Sequence, residues 1–359
     1  MFDIGLFGPF SVKQRRGNSI RIRLQAEGLL KNGFNNFCLY SYETDNNEKR
    51  YYQKEIGKYI YPKIFPLFQK IKKIPCKIVH VHHCIGATLL KQKYILDMPS
   101  FMTLQTNEIY KHEGRFIKRI FLRKCVIPLL LKNIEKKAIN NATRVIVASE
   151  SIKNDIINNM EIDKSKIIII TNPVNISKYK ISNKEELIVG VSASDFTDNM
   201  DRACLDVALM VAKKFPDIKF YIAGNMSNAQ KKELMENQNI KILGQLNHLQ
   251  YTNFLENISV FLNPYMSFWD YGGSKFKLLE AAAAGLPVIS TTNGAIGFPE
   301  KSALCIGDNI DEIINHISLL KNKKIRVSNG NALRDIIIKK HDYINEAKKL
   351  LDIYKEVLD

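Results

Sequence analysis

Residues 271–291 read YGGSKFKLLEAAAAGLPVIST. Ser274 is a suitable N-cap, and Gly285 with Pro287 a suitable stop, so the spacing predicts a helix of roughly three turns. At about 100° per residue, Phe276, Leu279 and Ala283 share one face, and Lys277 and Glu280 lie opposite. Gly272 and Gly273 leave backbone N–H groups able to converge on an anion at the positive helix end. Lys275 and Lys277 add formal charge there. Glu280, one turn in, can accept hydrogen bonds from sugar hydroxyls. A diphosphate at the helix start with a ribose beside the glutamate satisfies all of these groups. A solvated Lys–Glu pair at i,i+3 is the plainer reading, worth only about 0.2–0.5 kcal/mol. The glycine pair, the preceding Asn-Pro and the following AAAAGLPVIS favour the anion site.

A second group of candidate ligands is HVHH at 80–83. His82 and His83 sit at a strand end where they would face a ligand crevice. Structural histidines and metal ligands are the other two readings. Apart from Cys84, no carboxylate or cysteine arrangement completes a metal site, so none is expected.

The elements that must position these residues are legible as short apolar runs. They are DIGLFG, NFCLYS, IVHVHH, FMTLQ, RVIVAS and IIIIT in the first half. LIVGVS, IKFYIAG, IKILG, VFLNP, PVIST and ALCIG follow in the second. Most are apolar at successive positions, as strands buried on both faces are. Stretches with helical spacing, such as IRIRLQAEGLLKNG and RACLDVALMVAKKF, lie between them. Alternating strand and helix predicts an α/β fold with parallel sheets. Twelve strands suit two doubly wound, Rossmann-like domains facing a cleft better than one sheet. The expected boundaries are 1–175, 176–340 and a closing helix over 341–359 that packs back on the first domain.

The chain has 359 residues, 45% apolar and 25% charged, enough for two substantial cores. Its net charge of +17 is unevenly spread. Residues 1–180 hold 32 Lys and Arg against 14 Asp and Glu, or 32 − 14 = +18; the remainder holds 21 against 22, or −1. That asymmetry points to an anionic partner for the first half. The basic segments 58–77 and 111–137, with aromatics among the cations, suit a membrane surface as well as solvated helices. Charge alone gives nucleic acid only non-specific affinity, and no motif for it is visible. The six cysteines form no CxxC pair, as in a reducing compartment. MFDIGLFGPF reads as a first strand rather than a signal peptide. No run of about 18 apolar residues is present, so no membrane-spanning helix is expected.

The 271–291 segment resembles the donor motif of GT-B glycosyltransferases, especially those similar to family 4. The resemblance extends over most of the chain. GPFSVKQRRGNSIRIRLQAEGLLKNGF is similar to their first strand, loop and helix. RVIVASESIKNDI with IIIITNPVN, DNMDRACLDVALMVAKKFPDIKFYIAG and HDYINEAKKLLDIYKEVL follow in the family's order. The resemblance implies a nucleotide-sugar donor bound by the second domain, a glycan or lipid-linked acceptor bound by the first, and transfer in the cleft. It further implies retention, no cofactor and no required metal.

Carried over residue by residue, Gly272, Gly273 and Ser274 would approach the diphosphate or the sugar. Lys275 and Lys277 would neutralise charge on the departing nucleotide, and Glu280 would hold the ribose. Gly17 and Asn18 would lie near the diphosphate. Three positions depart from the pattern. Gly272 stands where many members have a first glutamate. GVSASDFTDNMDR offers Arg202 as the nearest cation in place of an Arg and Lys pair. Gln105 stands where a cleft histidine is frequent, and an amide cannot act as a base. The expectation is a cytoplasmic glycosyltransferase touching the inner membrane face while building a surface glycan or glycolipid. A nucleotide-sugar epimerase or hydrolase, or a degenerate homologue acting as a partner or scaffold, remains as an alternative.

Overall fold

The computed structural model describes residues 1–11, 17–43, 52–55, 73–88, 90–103, 127–197, 199–266 and 272–359. The chain divides into two compact units. One comprises Met1–Pro173, Asp270–Gly273 and Tyr343–Asp359; the other comprises Val174–Trp269 and Ser274–Asp342.

The first unit is built on strands β1 (Phe2–Ser11), β2 (Phe37–Glu43), β3 (Tyr52–Glu55), β4 (Cys76–His82), β5 (Tyr94–Met98), β6 (Arg144–Val147) and β7 (Ile167–Ile169). They form one sheet in the order β3-β2-β1-β4-β5-β6-β7, every pair parallel. Successive side chains on a strand point to opposite faces, and both faces are covered. Ile4, Leu6, Ile78, Ile95 and Ile146 meet helices α1 (Gly17–Lys31) and, at the chain's end, Tyr343–Leu358. Phe7, Val79, Val81, Leu96, Val145 and Val147 meet α2 (Cys84–Thr88), α3 (Ile127–Asn141) and α4 (Glu150–Asn159) on the other face. That two-sided burial is why the strands read as unbroken apolar runs.

The second unit repeats the plan. Strands β8 (Ile188–Asp195), β9 (Lys219–Asn225), β10 (Ile240–Gly244), β11 (Val260–Asn263), β12 (Val288–Ser290) and β13 (Cys305–Ile306) lie in the order β10-β9-β8-β11-β12-β13, all parallel. Val189, Val191, Val260, Leu262 and Ile289 face α5 (Asn199–Lys214), with α6 (Asn228–Met235) nearby, and the later helix Ile310–Leu320. Ile188, Phe261 and Val288 face α7 (His248–Glu256), α8 (Phe276–Ala283) and the later helix Lys323–Lys340. In order, the last three helices are α9 (Ile310–Leu320), α10 (Lys323–Lys340) and α11 (Tyr343–Leu358). In both sheets the order reverses beside the first strand, and such a switch point opens a ligand crevice at the strands' carboxyl ends.

Two strand assignments differ from the sequence reading. The fourth expected strand, FMTLQ, is not a strand over its described residues 101–103. Phe101 is irregular, Met102 and Thr103 begin a helical turn, and the strand is Tyr94–Met98, all five residues of it buried. Its pattern is masked by Asp97, a charge in the middle of the sheet. The polar edge strand β3, YQKE, was not foreseen either.

Asp97 is held by Arg21 of α1, and both side chains are fully buried. The Arg21 Nε donates to both carboxylate oxygens at 3.1 and 3.0 Å. Its other nitrogens donate to the Ile170 and Thr171 carbonyls and to Asn172 Oδ1 at 2.9–3.1 Å. Gln25 donates to Asp97 at 2.8 Å. Helix α11 closes over the same helix. A Cβ on Gly28 would stand 2.4 Å from the Tyr343 carbonyl oxygen, so α1 must present glycine there. Burial alone would raise the Asp97 pKa; Arg21, His82 and His80 together hold it well below the usual carboxylate range. Replacing Asp97 with Asn keeps the shape and strands the guanidinium charge. We expect the Asp97→Asn protein to lose about 3–5 kcal/mol of stability, read by urea denaturation. An unchanged midpoint would show that Arg21 does not depend on this carboxylate.

Candidate functional site

In the second unit the predicted helix is present but shorter and differently capped. α8 runs Phe276–Ala283, its N-cap is Lys275, and no side chain caps it. Ser274 is not the cap. Its hydroxyl donates instead to the Gly297 carbonyl at 2.7 Å, which fastens the chain to the loop after β12. Gly285, at φ 71°, ends the helix, with Leu286 N–H returning to the Ala281 carbonyl. Leu278, Leu279 and Ala281–Ala284 are buried. The small residues let α10 approach so closely that a Cβ on Gly330 would meet the Gly285 oxygen at 2.0 Å.

The polar face is not solvated. Glu280 is 8% exposed, and the buried Tyr179 hydroxyl donates to its Oε1 at 2.8 Å. Lys277 Nζ donates to the Ser192 carbonyl, in the second half of β8, at 3.1 Å. It also stands 3.6 Å from Asp201 Oδ1, in the first turn of α5. Burial pushes the Lys277 ammonium pKa down, and Asp201 opposes that shift. The Tyr265 ring, just beyond β11, lies 4.4 Å from Lys275 Nζ and 4.8 Å from Lys277 Nζ. Its hydroxyl donates to Asp201 at 2.7 Å. Its carbonyl accepts from Thr291 Oγ1 at 2.6 Å, so the tyrosine is fixed at both ends. Two cations, a buried carboxylate and the ends of β8, β11 and β12 thus gather at the switch point of this sheet.

Asp201, Tyr265, Ser192 and Tyr179 did not emerge from the sequence. DNMDR drew attention only as a source of cations. Arg202 is exposed, and its neighbour Asp201 is the residue that meets the lysine. Tyr265 had one available signal, its place directly after the Asn-Pro that ends β11.

The remaining expected residues lie in the first unit. Gly272 forms an antiparallel bridge with Ser100, and its carbonyl accepts from Ser149 Oγ at 3.4 Å. The Gly273 N–H donates to the Pro99 carbonyl at 3.1 Å, so that amide is not offered to an anion here. A Cβ on Gly273 would meet the Ala148 Cβ at 2.5 Å, which is the reason for glycine at that position. Gly17 and Asn18 begin α1; Gly17 is exposed and Asn18 half-buried. Gln105 lies outside the described residues.

His82 is fully buried, stacked on His80 at 4.9 Å, with the Phe10 ring edge-on at 6.4 Å. Burial pushes its pKa down to about 3, against the pull of Asp97, and that of half-buried His83 to about 4. Both rings are therefore neutral at physiological pH. His83 adopts φ 90°, uncommon for a residue with a side chain, and its N–H donates to the Asp97 carbonyl. His80 Nδ1 stands 2.6 Å from the Tyr354 hydroxyl of α11. His80, His82 and Asp97 lie close enough together to hold a cation. Arg21 and Gln25 already engage the Asp97 oxygens, while both His82 ring nitrogens and His80 Nε2 have no hydrogen-bond partner among the described residues.

Comparison with known proteins bears on the family and the fold. Residues 183–322 match the glycosyl transferases group 1, and residues 26–178 match glycosyltransferase family 4. The chain is 26% identical over 249 residues to a 2-deoxystreptamine N-acetyl-D-glucosaminyltransferase of Niallia circulans, covering 62% of this chain and 60% of that one. It is 27% identical over 234 residues to a poly(ribitol-phosphate) alpha-N-acetylglucosaminyltransferase of Staphylococcus aureus, covering 62% and 46%. The chain thus spans about half the length of these relatives. Anabaena HepE, solved with UDP and glucose, superposes with a TM-score of 0.70 at 11% identity, over 99% of this chain and all of that one. With both halves matched and both sheets in the same architecture, the chain belongs to the GT-B glycosyltransferases of the group 1 and family 4 type.

Proposed function

We propose that the protein transfers a sugar from a nucleoside-diphosphate sugar to a glycan or lipid-linked acceptor in cell-surface polysaccharide or glycolipid synthesis. The observation that carries this reading is the withdrawal of Lys277 and Glu280 from solvent on one helix, which a surface ion pair does not require. Two curated relatives are named as N-acetylglucosaminyltransferases, and HepE was solved with UDP. These names favour a UDP-linked hexose or N-acetylhexosamine as donor.

In transfer, an acceptor hydroxyl oxygen bonds to the sugar's anomeric carbon as that carbon's bond to the diphosphate oxygen breaks, the hydroxyl proton passes to the departing phosphate, and negative charge grows on that phosphate as the bond breaks. Lys275 and Lys277 stabilise that charge at a site partly shielded from water, where it counts for more than in solution. Glu280 accepts from the ribose hydroxyls, with Tyr179 fixing the carboxylate. Ser274 and the glycine pair carry the chain past the sugar. Gly17, Asn18, Gln105, His82 and His83 belong to the acceptor-side unit, residues 1–175 with the closing helix; residues 176–340 bind the donor. The reading extends to retention of configuration and to a site that works without a metal, because the two lysines supply the positive charge.

A membrane role rests on a separate observation. On α3, Leu129 and Leu130 are 61% and 55% exposed, beside exposed Lys132 and Lys137. No described helix is long and apolar enough to cross a bilayer. Exposed leucines among lysines suit the anionic face of a membrane, with the protein on the cytoplasmic side.

Calorimetry with UDP tests the donor site. We expect Lys277→Ala to weaken binding by about 10–100-fold, the worth of a hydrogen bond between charged groups. Glu280→Gln should cost less, and UDP-glucose or UDP-N-acetylglucosamine should bind the wild type. Affinity should fall as pH rises through the lowered Lys277 pKa, before an ordinary lysine would deprotonate. Equal UDP binding by wild type and Lys277→Ala would refute the assignment. Donor consumption without acceptor would favour an epimerase or hydrolase.

For the membrane, we expect sedimentation with phosphatidylglycerol vesicles but not with phosphatidylcholine vesicles. Binding should weaken in salt and in a Leu129→Glu, Leu130→Glu double variant. Indifference to lipid charge would remove this part of the reading.

A further inference from the structure

Two lysines two residues apart repel each other, and a buried ammonium tends to shed its proton. Something must keep both cations close together and charged. The structure places Asp201 and Tyr265 there, residues that neither the glycine motif nor the KxxE spacing contains. The Tyr265 ring lies within 4.4 and 4.8 Å of the two ammonium groups, close enough for cation–π attraction. Its hydroxyl spends its proton on Asp201 Oδ1 at 2.7 Å, and that same oxygen faces Lys277 Nζ at 3.6 Å. Tyr265 is 5% exposed and is pinned by Thr291 through its carbonyl. The platform is therefore rigid before any ligand arrives.

We propose that Asp201 and Tyr265 are positioning residues that hold Lys275 and Lys277 side by side, and Lys277 protonated, to receive a diphosphate. Asp201 supplies the countercharge while the site is empty. On binding, the phosphate oxygens take over that role, and Asp201 keeps the ammonium aimed through its hydrogen bond from Tyr265. Besides Asp201, the tyrosine ring and the Ser192 carbonyl, the described groups facing Lys277 are Lys275 and the buried Cys204 thiol. Burial pushes that thiol up to about 12, so it stays neutral. Among the described residues facing Lys277, Asp201 is then the one negative group. The inference rests on the donor-site reading above for its ligand, but not for its test.

The test is trace acetylation of Lys277 followed by mass spectrometry from neutral to alkaline pH, paired with UDP and pyrophosphate calorimetry on the full chain. In Asp201→Asn the acetylation midpoint should move to lower pH, because burial persists while the attraction is gone. UDP should bind about tenfold more weakly. Asp201→Glu should recover part of both. Tyr265→Phe keeps the ring and loses the hydroxyl, so it should shift the midpoint in the same direction by less. It also serves as the second probe if Asp201→Asn fails to fold. A midpoint unmoved in both Asp201→Asn and Tyr265→Phe overturns the inference, whatever UDP does. A moved midpoint in a protein whose wild type binds neither UDP nor pyrophosphate would support the positioning of Lys277 and reject the donor-site reading.

Discussion

A guanidinium with no access to water has to find every partner within the protein, and much of the first unit is arranged around that demand. Arg21 sits on the first helix, yet its ligands come from β5 and from the chain just past β7. The sheet must therefore close in register before the arginine is satisfied. Removing such a charge's counterion costs far more than the pair contributes over an apolar alternative. The pair is best understood as a device that specifies one arrangement of α1 on the sheet. Asp97 extends the constraint to His80 and Gln25, and His80 extends it to Tyr354 of α11.

The second unit treats its half-buried cation, Lys277, differently. Arg21 has a carboxylate, three carbonyl or amide oxygens and a coplanar geometry that uses them. The described partners of Lys277 are one carbonyl, one carboxylate at the edge of ion-pair distance and the face of the Tyr265 ring, and its pKa stays lowered. The first cation is compensated within the protein; in the proposed donor site, the second is the one that meets an anion. This difference in partners, more than burial alone, distinguishes the two cations.

Sequence periodicity revealed most of the strands because both faces of each sheet are covered, so apolar runs mark them directly. It failed at β5, where Asp97 interrupts YILDM, and at β3, where an edge strand needs little apolar content. In each case the missing information was a long-range partner, Arg21 seventy-six positions away or a neighbouring strand. The lysine and glutamate pair was legible because Lys277 and Glu280 lie on one helix and their spacing is local. Asp201, Tyr265 and Tyr179 were not, since they come from other elements and are brought in by the sheet order. Ser274 was misread as a cap because a serine before a helix is chemically competent for two tasks, and only the nearby Gly297 carbonyl decides which one it performs.

The placement of α11 has a consequence for how the protein is made. Residues 343–358 leave the ribosome after the whole of the second unit, yet they cover α1 and supply the tyrosine that engages His80. Until they arrive, Ile22, Ala26 and Leu29 on α1 lack the apolar cover of Leu350, Ile353 and Val357. At about 5–20 residues per second, synthesis of the intervening 169 residues, Val174–Asp342, leaves that face open for many seconds. During translation the first-made unit is thus the last to be completed, and its exposed seam is where a chaperone would act.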